Sequence, residues 1–147
     1  MVFALRRELG SLAWDSIGIV RSAAGLGEAL ERLDAIEARL ADVALPGEVA
    51  GNPSLQSRMD TANLVTVARL IATSAALREE SRGSHYREDF PQTSPDGLYN
   101  IYVRRSADGA IVTDRRPVRF TRRRPEELAG DTVIPTAAST ATVTATT

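Results

Sequence analysis

The run REESRGSHYREDFP, residues 78–91, decides how this chain is interpreted. It follows a long apolar segment, alternates basic with acidic side chains, and contains His85, the only histidine of the chain. It ends at Pro91, which cannot continue a helix. So dense a mixture of charges beside a single histidine is not typical of a solvated helix end. The segment is therefore the first candidate for a functional or structural role.

Two roles for this segment remain open. In the first it braces the fold: Arg78 and Arg82 cover the last carbonyls of the preceding helix, Asp89 pairs with Arg82 or Arg87, and His85 satisfies a backbone group. In the second, these five side chains dock onto another domain or subunit, because a guanidinium binds carboxylates and carbonyls bidentately. If docking dominates, Arg87→Ala is expected to change folding stability by about 1 kcal/mol or less, as for most surface changes.

Upstream of this segment, apolar residues recur at helical spacing in three stretches. Short connections favour an antiparallel up-down-up bundle. Gly18 marks either a close helix crossing or an early end of the first helix. The first helix is predicted at residues 3–21. The second begins between Ser22 and Gly27 and runs to about Asp42. The third begins with an Asn52 cap and Pro53 and runs to about Arg82, where Gly83 ends it.

The same periodicity predicts the core. Leu33, Leu40, Leu64 and Ile71 are expected to be buried, and the third helix is expected to be the longest and most buried. Leu64→Ala should then cost about 2–5 kcal/mol, as deletion of a buried leucine does.

Downstream, the chain changes character. Residues 98–103 and 110–113 are β-prone, and Asp108-Gly109 between them is typical of a hairpin turn. The fold class is therefore mainly α: an antiparallel three-helix bundle followed by a short β-hairpin and an extended tail. We predict a bundle with its charged loop over residues 1–91, a hairpin and arginine-rich tail of the same domain over 92–127, and a disordered Ala/Thr-rich tail over 128–147.

Composition excludes several classes of function. The chain of 147 residues has a net charge of -1 and no cysteine, so disulfides and thiolate metal sites are excluded. No apolar run approaches the ~20 residues that span a bilayer, and the first residues do not resemble a signal peptide. A cytoplasmic protein without direct membrane contact is expected. Residues 104–124 are rich in arginine, but a chain that is not basic overall disfavours nucleic acid as a partner.

No catalytic constellation is found. Gly25-Leu26-Gly27 sits at a helix start and does not follow a strand, so it is not a dinucleotide fingerprint. One histidine and no EF-hand spacing leave no metal site. We assign no catalytic, cofactor-binding or metal-binding residue, and we expect the purified chain to bind no FAD. The site residues predicted are those of the docking or bracing motif: Arg78, Arg82, His85, Arg87 and Asp89.

Residues 78–91 resemble the R-E-S-R-G-x-H-x-R-x-D-[FY]-P segment in the C-terminal helical domain of the fumarate reductase/succinate dehydrogenase flavoprotein family, which includes L-aspartate oxidase. Residues 12–21, LAWDSIGIVR, resemble the first helix of the L-aspartate oxidase domain, and residues 75–78 and 116–118 fit its third helix and its late tail. Tyr86 and the Gly-Ile-Val-Arg string favour the L-aspartate oxidase branch.

This resemblance implies a three-helix domain that packs against an FAD-binding domain and a capping domain, on the same or a separate chain. The whole enzyme would oxidise L-aspartate to iminoaspartate in NAD biosynthesis, with FAD held outside the present residues. This chain would then be part of an FAD-dependent oxidoreductase and inactive alone. The alternatives are the corresponding domain of a succinate dehydrogenase or fumarate reductase, or a free-standing interaction module. An exposed apolar patch on the third helix would favour a domain with a partner.

Overall fold

The computed structural model describes residues 1–44, 47, 51–107, 109–123 and 127. The chain separates into two units, Met1–Pro117 and Val118–Thr147, and the first of them contains the fold described below. The predicted disordered tail, 128–147, lies outside the described residues. The division at residues 91 and 127 stays a prediction.

Three helices dominate the first unit: α1 at Val2–Leu12, α2 at Ala23–Ala41 and α3 at Pro53–Ala76. α1 continues as a π-helical turn, Ala13–Ile17, and stops at Gly18. A Cβ on Gly18 would lie 2.6 Å from the carbonyl oxygen of Trp14, so only glycine lets the chain leave the helix here. The continuous helix predicted over 3–21 was therefore too long, and the early end at Gly18 is confirmed.

Side-chain caps begin the next two helices. The Ser22 hydroxyl accepts from the Gly25 amide at 3.1 Å at the start of α2. The Asn52 side chain accepts from the amides of Ser54 and Leu55 at 3.0 and 3.3 Å at the start of α3. Both caps satisfy amides that have no partner inside the helix, and both starts agree with the sequence prediction.

α3 ends at Ala76, well before the predicted Arg82. Gly83, predicted as the residue that ends this helix, instead adopts φ +58° inside a tight turn in which Arg82 and His85 exchange backbone hydrogen bonds of 2.8 and 3.0 Å. Helical bonds are lost after Ala76 because the charged segment offers stronger local partners, described below.

The helices pack as an antiparallel up-down-up bundle. Val2 and Leu5 at the start of α1 pack with Leu40 and Val43 at the end of α2. Arg58, near the start of α3, donates to the carbonyl of Leu40 at 3.1 Å. The larger core cluster joins all three helices, and its members are Leu9, Leu12, Ile17, Leu26, Ala29, Leu33, Ile36, Val65, Ala68, Ala72 and Ala75.

The buried face of α3 consists of small side chains: Ser57, Thr61, Val65, Ala68, Ala72 and Ala75. Leu33 and Leu40 are buried as predicted, but Leu64 and Ile71 are 43% and 42% exposed. The prediction for these two was wrong because large apolar residues were assumed to lie on the face of α3 that packs against the other helices. Small residues allow α3 to approach α1 and α2 closely, and its large apolar residues point outward.

A matched pair of leucine-to-alanine substitutions tests which face of α3 is buried. Leu33→Ala should lower the free energy of unfolding by about 2–5 kcal/mol because Leu33 is fully buried. Leu64→Ala should lower it by about 1 kcal/mol or less, which replaces the larger cost expected from the sequence. Urea denaturation of both variants measures the difference. Equal losses of unfolding free energy would contradict the exposed position of Leu64.

Two small sheets complete the unit. β1, Val20–Arg21, pairs in parallel with β2, Tyr86–Arg87. β3, Tyr99–Arg105, pairs antiparallel with β4, Ile111–Pro117, in a register that runs from Tyr99 opposite Pro117 to Arg105 opposite Ile111. Gly109 has φ +90° in the connecting turn, as a hairpin requires, and Asp108 lies outside the described residues. The mainly helical fold with a short hairpin is thereby confirmed, whereas the β1–β2 pair was not predicted.

Candidate functional site

Arg87 closes the C-terminal end of α3. Its side chain is 1% exposed, and its Nη1 donates to the carbonyls of Ala75, Ala76 and Arg78 at 3.1, 3.3 and 3.1 Å. Carbonyls at the end of a helix lack the amide donors that a following turn would supply. The sequence had assigned this capping to Arg78 and Arg82, which is corrected here: Arg87, brought back by the β1–β2 pairing, does it.

Asp89 continues this link to the start of α2. Its carboxylate accepts from Nε and Nη2 of Arg87, each at 2.7 Å, and from the amide of Ala23 at 3.0 Å. The hydrogen bonds from Arg87 hold the pKa of Asp89 well below its ordinary value. The cation thus lies at the negative end of α3 and the anion at the positive end of α2, so both helix dipoles favour the pair.

Glu80 is the centre of a second cluster and is 2% exposed. Its carboxylate accepts from Arg78 Nη1, from Arg82 Nε and Nη2 at 3.1–3.2 Å, and from the Ser94 amide at 2.9 Å. Burial alone would raise the pKa of Glu80, but the hydrogen bonds from Arg82, Ser94 and Arg78 outweigh it and lower the pKa. A Cβ on Gly97 would lie 2.0–2.3 Å from this carboxylate, so position 97 has no room for a side chain.

Arg78 and Arg82 also tie the following loop to the bundle. Arg82 Nη2 donates to the Ser94 carbonyl at 2.8 Å. Arg78 donates to the carbonyls of Gly97 and Tyr99 at 3.0 and 2.5 Å, and its guanidinium lies 4.6 Å from the centre of the Tyr99 ring. The start of β3 is therefore positioned by the same arginine that neutralises Glu80.

Two arginines of β4 contact the end of α3 or the aromatic residues of β3. Arg115 Nη2 donates to the carbonyl of Leu77 at 2.9 Å and its guanidinium lies 5.0 Å from the Tyr99 ring. Arg116 pairs with Asp114 at 2.8 Å and lies 4.3 Å from the Tyr102 ring. These basic and aromatic side chains of the hairpin contact each other.

His85 lies between two arginines. Its Nδ1 is 2.5 Å from Nη1 of Arg21, and its Nε2 is 3.3 Å from the carbonyl of Arg78. A guanidinium can only donate, so Nδ1 accepts and the Nε2–H donates to the carbonyl. Burial, together with the charges of Arg21, Arg87 and Arg78, lowers the pKa of His85 below 6.5. The imidazole is therefore neutral in the folded protein at neutral pH.

This neutral histidine predicts a dependence of stability on pH. In the unfolded chain His85 takes up a proton near pH 6.5, whereas the folded protein resists protonation. The contribution to stability is complete above about pH 6.5 and is lost as the pH falls towards the lower folded-state value. The free energy of unfolding, measured by urea titration, should therefore decrease between pH 7 and pH 5.

His85→Gln is the control, since this is the only histidine of the chain. It should flatten the pH dependence in that window and leave the later loss at lower pH, where Glu80 and Asp89 become protonated. An unchanged slope in the variant would show that His85 is not the titrating group.

All five residues of the predicted motif lie at this end of the bundle. Sequence reasoning missed Glu80, Ser81 and Arg21. The Ser81 hydroxyl accepts from the Arg87 amide at 2.9 Å and donates to the Phe90 carbonyl at 2.9 Å, which closes the loop. A signal was available for Glu80, which stands between Arg78 and Arg82, but Arg21 is distant in sequence from the residues it meets.

The chemistry of the cluster is that of binding and bracing. Its carboxylates are neutralised by arginines, and Ser81 contacts backbone groups and no base. Among the residues that the structure describes, no three His, Asp or Glu side chains come together as a metal site would require. Within the same residues, no helix is both long and apolar enough to cross a bilayer.

The outer face of α3 carries an exposed apolar row, which we call the outer stripe: Leu64, Val67 and Ile71. Their spacing of three and four residues places them on one side of the helix, and they are 42–50% exposed. A row of large apolar side chains outside a core that is already closed is typical of an interface.

Comparison with known proteins identifies the family. Residues 6–129 match the family described as fumarate reductase flavoprotein C-term. The chain belongs to this family. An uncharacterized FAD-dependent oxidoreductase of Methanocaldococcus jannaschii is 40% identical over 103 residues, and a subunit of the fumarate reductase (CoM/CoB) of Methanothermobacter marburgensis is 38% identical over 108 residues. These matches cover 70% and 74% of this chain but only 18% and 20% of the relatives, so the chain spans about a fifth of their length.

A solved structure shares the fold of this flavoprotein C-terminal domain. The Sdh1 complex of Mycobacterium smegmatis with UQ1 superposes with a TM-score of 0.75 at 30% identity, covering 83% of this chain and 21% of that one. L-aspartate oxidase of Nostoc is 35% identical over 115 residues, covering 69% of this chain and 20% of the relative. The family expected from residues 78–91 is confirmed, whereas the aspartate oxidase branch is supported less well than fumarate reductase.

Proposed function

We propose that this domain is a non-catalytic docking part of a fumarate reductase/succinate dehydrogenase-type flavoprotein, and that it works only together with the FAD-binding region of that enzyme. The observation that carries the proposal is the outer stripe. The bundle closes its core with small side chains on α3, yet Leu64, Val67 and Ile71 stay exposed. A free-standing module has no need of such a row, whereas a domain that packs against a larger partner does.

The described residues do not fit FAD. A dinucleotide places its pyrophosphate on free amides at a helix N-terminus after a glycine-rich turn. Here the first amides of α2 are taken by Asp89 and Ser22, and those of α3 by Asn52. Gly25 and Gly27 lie within α2. We therefore propose that the partner region alone holds the flavin.

The test is a calorimetric titration of the chain with the FAD-loaded flavin-binding region of the same organism's flavoprotein. We expect saturable binding, with flavin fluorescence eluting only with that region or with the complex. Leu64→Ser and Val67→Ser should each weaken binding about tenfold or more, as loss of a buried anchor does. Met59→Ser is the matched control, because Met59 is an exposed apolar residue of α3 outside the outer stripe.

Absence of binding by the wild-type chain would overturn the docking function, and flavin eluting with the lone chain would overturn the assignment of FAD to the partner. L-aspartate oxidase is the second candidate for the whole enzyme, favoured by the 35% identity to the Nostoc enzyme. Reduction of fumarate by a reduced dye, measured beside oxidation of L-aspartate, separates the two. We propose fumarate reductase chemistry because the fumarate reductase subunit of Methanothermobacter marburgensis is 38% identical, against 35% for the Nostoc enzyme.

A further inference from the structure

A cavity of about 270 Å³ lies at the C-terminal end of the outer stripe. Ile71 belongs to both, Ser74 lies three residues further along the same side of α3, and Arg78 follows just beyond the end of the helix. The other walls come from β1, the charged loop and β3, through Arg21, His85 and Asn100. An apolar surface thus leads directly into a polar recess.

The charge of this recess is unbalanced. Arg78 pairs with Glu80, but the guanidinium of Arg21 contacts only the Ile17 carbonyl at 3.0 Å and His85, and no carboxylate among the described residues. No aspartate or glutamate is found among the described residues that line the cavity. The Arg21 side chain is partly buried, and this burial lowers the pKa of its guanidinium. A guanidinium removed from water without a counter-ion is unfavourable, so the recess lacks a negative group.

We propose that this recess receives the carboxylate of an aspartate or glutamate side chain from the flavin-binding region, with Arg21 as its ion-pair partner. The inference rests on the proposed docking function and adds its polar anchor. Arg21 offers the N–H groups that Ile17 and His85 do not use, and the Asn100 amide offers a further donor. The apolar neighbours of that side chain then cover Ile71 and the rest of the outer stripe.

Continuity with the outer stripe favours a protein side chain over a free small anion. A free anion would pair with Arg21 but would leave Leu64 and Val67 in water. A protein segment satisfies the charge and covers the apolar row together, which is the arrangement of a buried anchor within an apolar contact. The neutral His85 keeps Arg21 in place, because its Nδ1 accepts from Nη1 of Arg21.

The experiment uses the same titration with the FAD-loaded region. Arg21→Gln should weaken binding about 10- to 100-fold by removing the charge. Asn100→Asp should weaken it similarly, because the new carboxylate pairs with Arg21 and repels the incoming one. Arg7→Gln, which removes an exposed arginine of α1, is the matched control and should leave the Kd within about twofold. Raising the salt concentration should weaken the wild-type complex more than either cavity variant.

Thermal unfolding of the lone chains shows whether a variant weakens binding only because it destabilises the fold. Asn100 is exposed, so Asn100→Asp should unfold at the wild-type temperature or above it. If Asn100→Asp and Arg21→Gln bind as tightly as Arg7→Gln while Leu64→Ser does not, the carboxylate anchor is wrong and the docking function stands. If sodium acetate at tens of millimolar raises the unfolding temperature of the wild type and of Arg21→Gln equally, the recess is not specific for a carboxylate. If the wild-type chain does not bind at all, both proposals fail.

Discussion

Arg87→Ala is expected to lower the free energy of unfolding of the isolated chain by about 3–5 kcal/mol, as breaking a buried pair does. Arg87 is 1% exposed, satisfies three carbonyls at the end of α3 and holds Asp89 on the start of α2. Its loss removes a strong donor from all three carbonyls, leaves the Ala75 carbonyl with the Arg78 amide and the Arg78 carbonyl with His85, and opens a void beneath the charged loop. The docking hypothesis had predicted a cost of about 1 kcal/mol or less, and the burial of Arg87 replaces that expectation.

Urea denaturation monitored by circular dichroism measures this cost. Arg104→Ala is the control, because Arg104 is exposed on the hairpin and its loss should stay within about 0.5 kcal/mol. Asp89→Ala and the double variant complete a cycle, in which the two sites should be coupled by about 1–3 kcal/mol. Independent effects of the two substitutions would mean that Arg87 and Asp89 do not act as one clamp.

Glu80→Gln should be comparably severe. The substitution keeps the shape of the side chain but removes the negative charge that Arg78 and Arg82 share, so two partly buried guanidinium groups lose their counter-ion. It also places amide hydrogens against the N–H donors of Arg78, Arg82 and Ser94. A loss of about 3–5 kcal/mol is expected from removing one partner of a buried ion cluster.

Glu79→Gln is the matched control for Glu80. The two residues are neighbours with the same chemistry, but Glu79 is exposed and Glu80 is buried. Glu79→Gln should therefore change stability by about 0.5 kcal/mol or less. Similar melting temperatures for the two variants would contradict the central place of Glu80 in the cluster.

These contacts bear on the two roles left open by the sequence. Arg78, Arg82, Arg87 and Asp89 all form side-chain hydrogen bonds within the domain, which supports the bracing role. Docking by these side chains themselves stays a prediction. We expect the partner instead to contact the outer stripe and Arg21, which the bracing network holds in place through His85.

Much of the architecture could be predicted from local signals. The Asn52 cap follows from the hydrogen-bonding preference of its side chain, and the break at Gly18 and the turn at Gly109 follow from the backbone preferences of glycine. The periodicity of α2 identified Leu33 and Leu40 as core. The prediction of the buried face of α3 was wrong because the apolar pattern does not distinguish a large residue that faces a partner from one that faces the core. Small residues at every third or fourth position were the available signal, and they indicate close helix packing.

The sequence by itself determined the three helices, the hairpin and, through residues 78–91, the family. These depend on contacts within a few residues or on a string that is recognisable as written. The tertiary structure alone decided that α3 stops at Ala76, that Arg87 rather than Arg78 or Arg82 caps it, and that Arg21 meets His85. The contact of Arg21 with His85 depends on β1 and β2 pairing across more than sixty residues, and the free energy of a buried ion pair or cap is set by burial and distance. Neither quantity is encoded in local spacing, so only the folded chain fixes them.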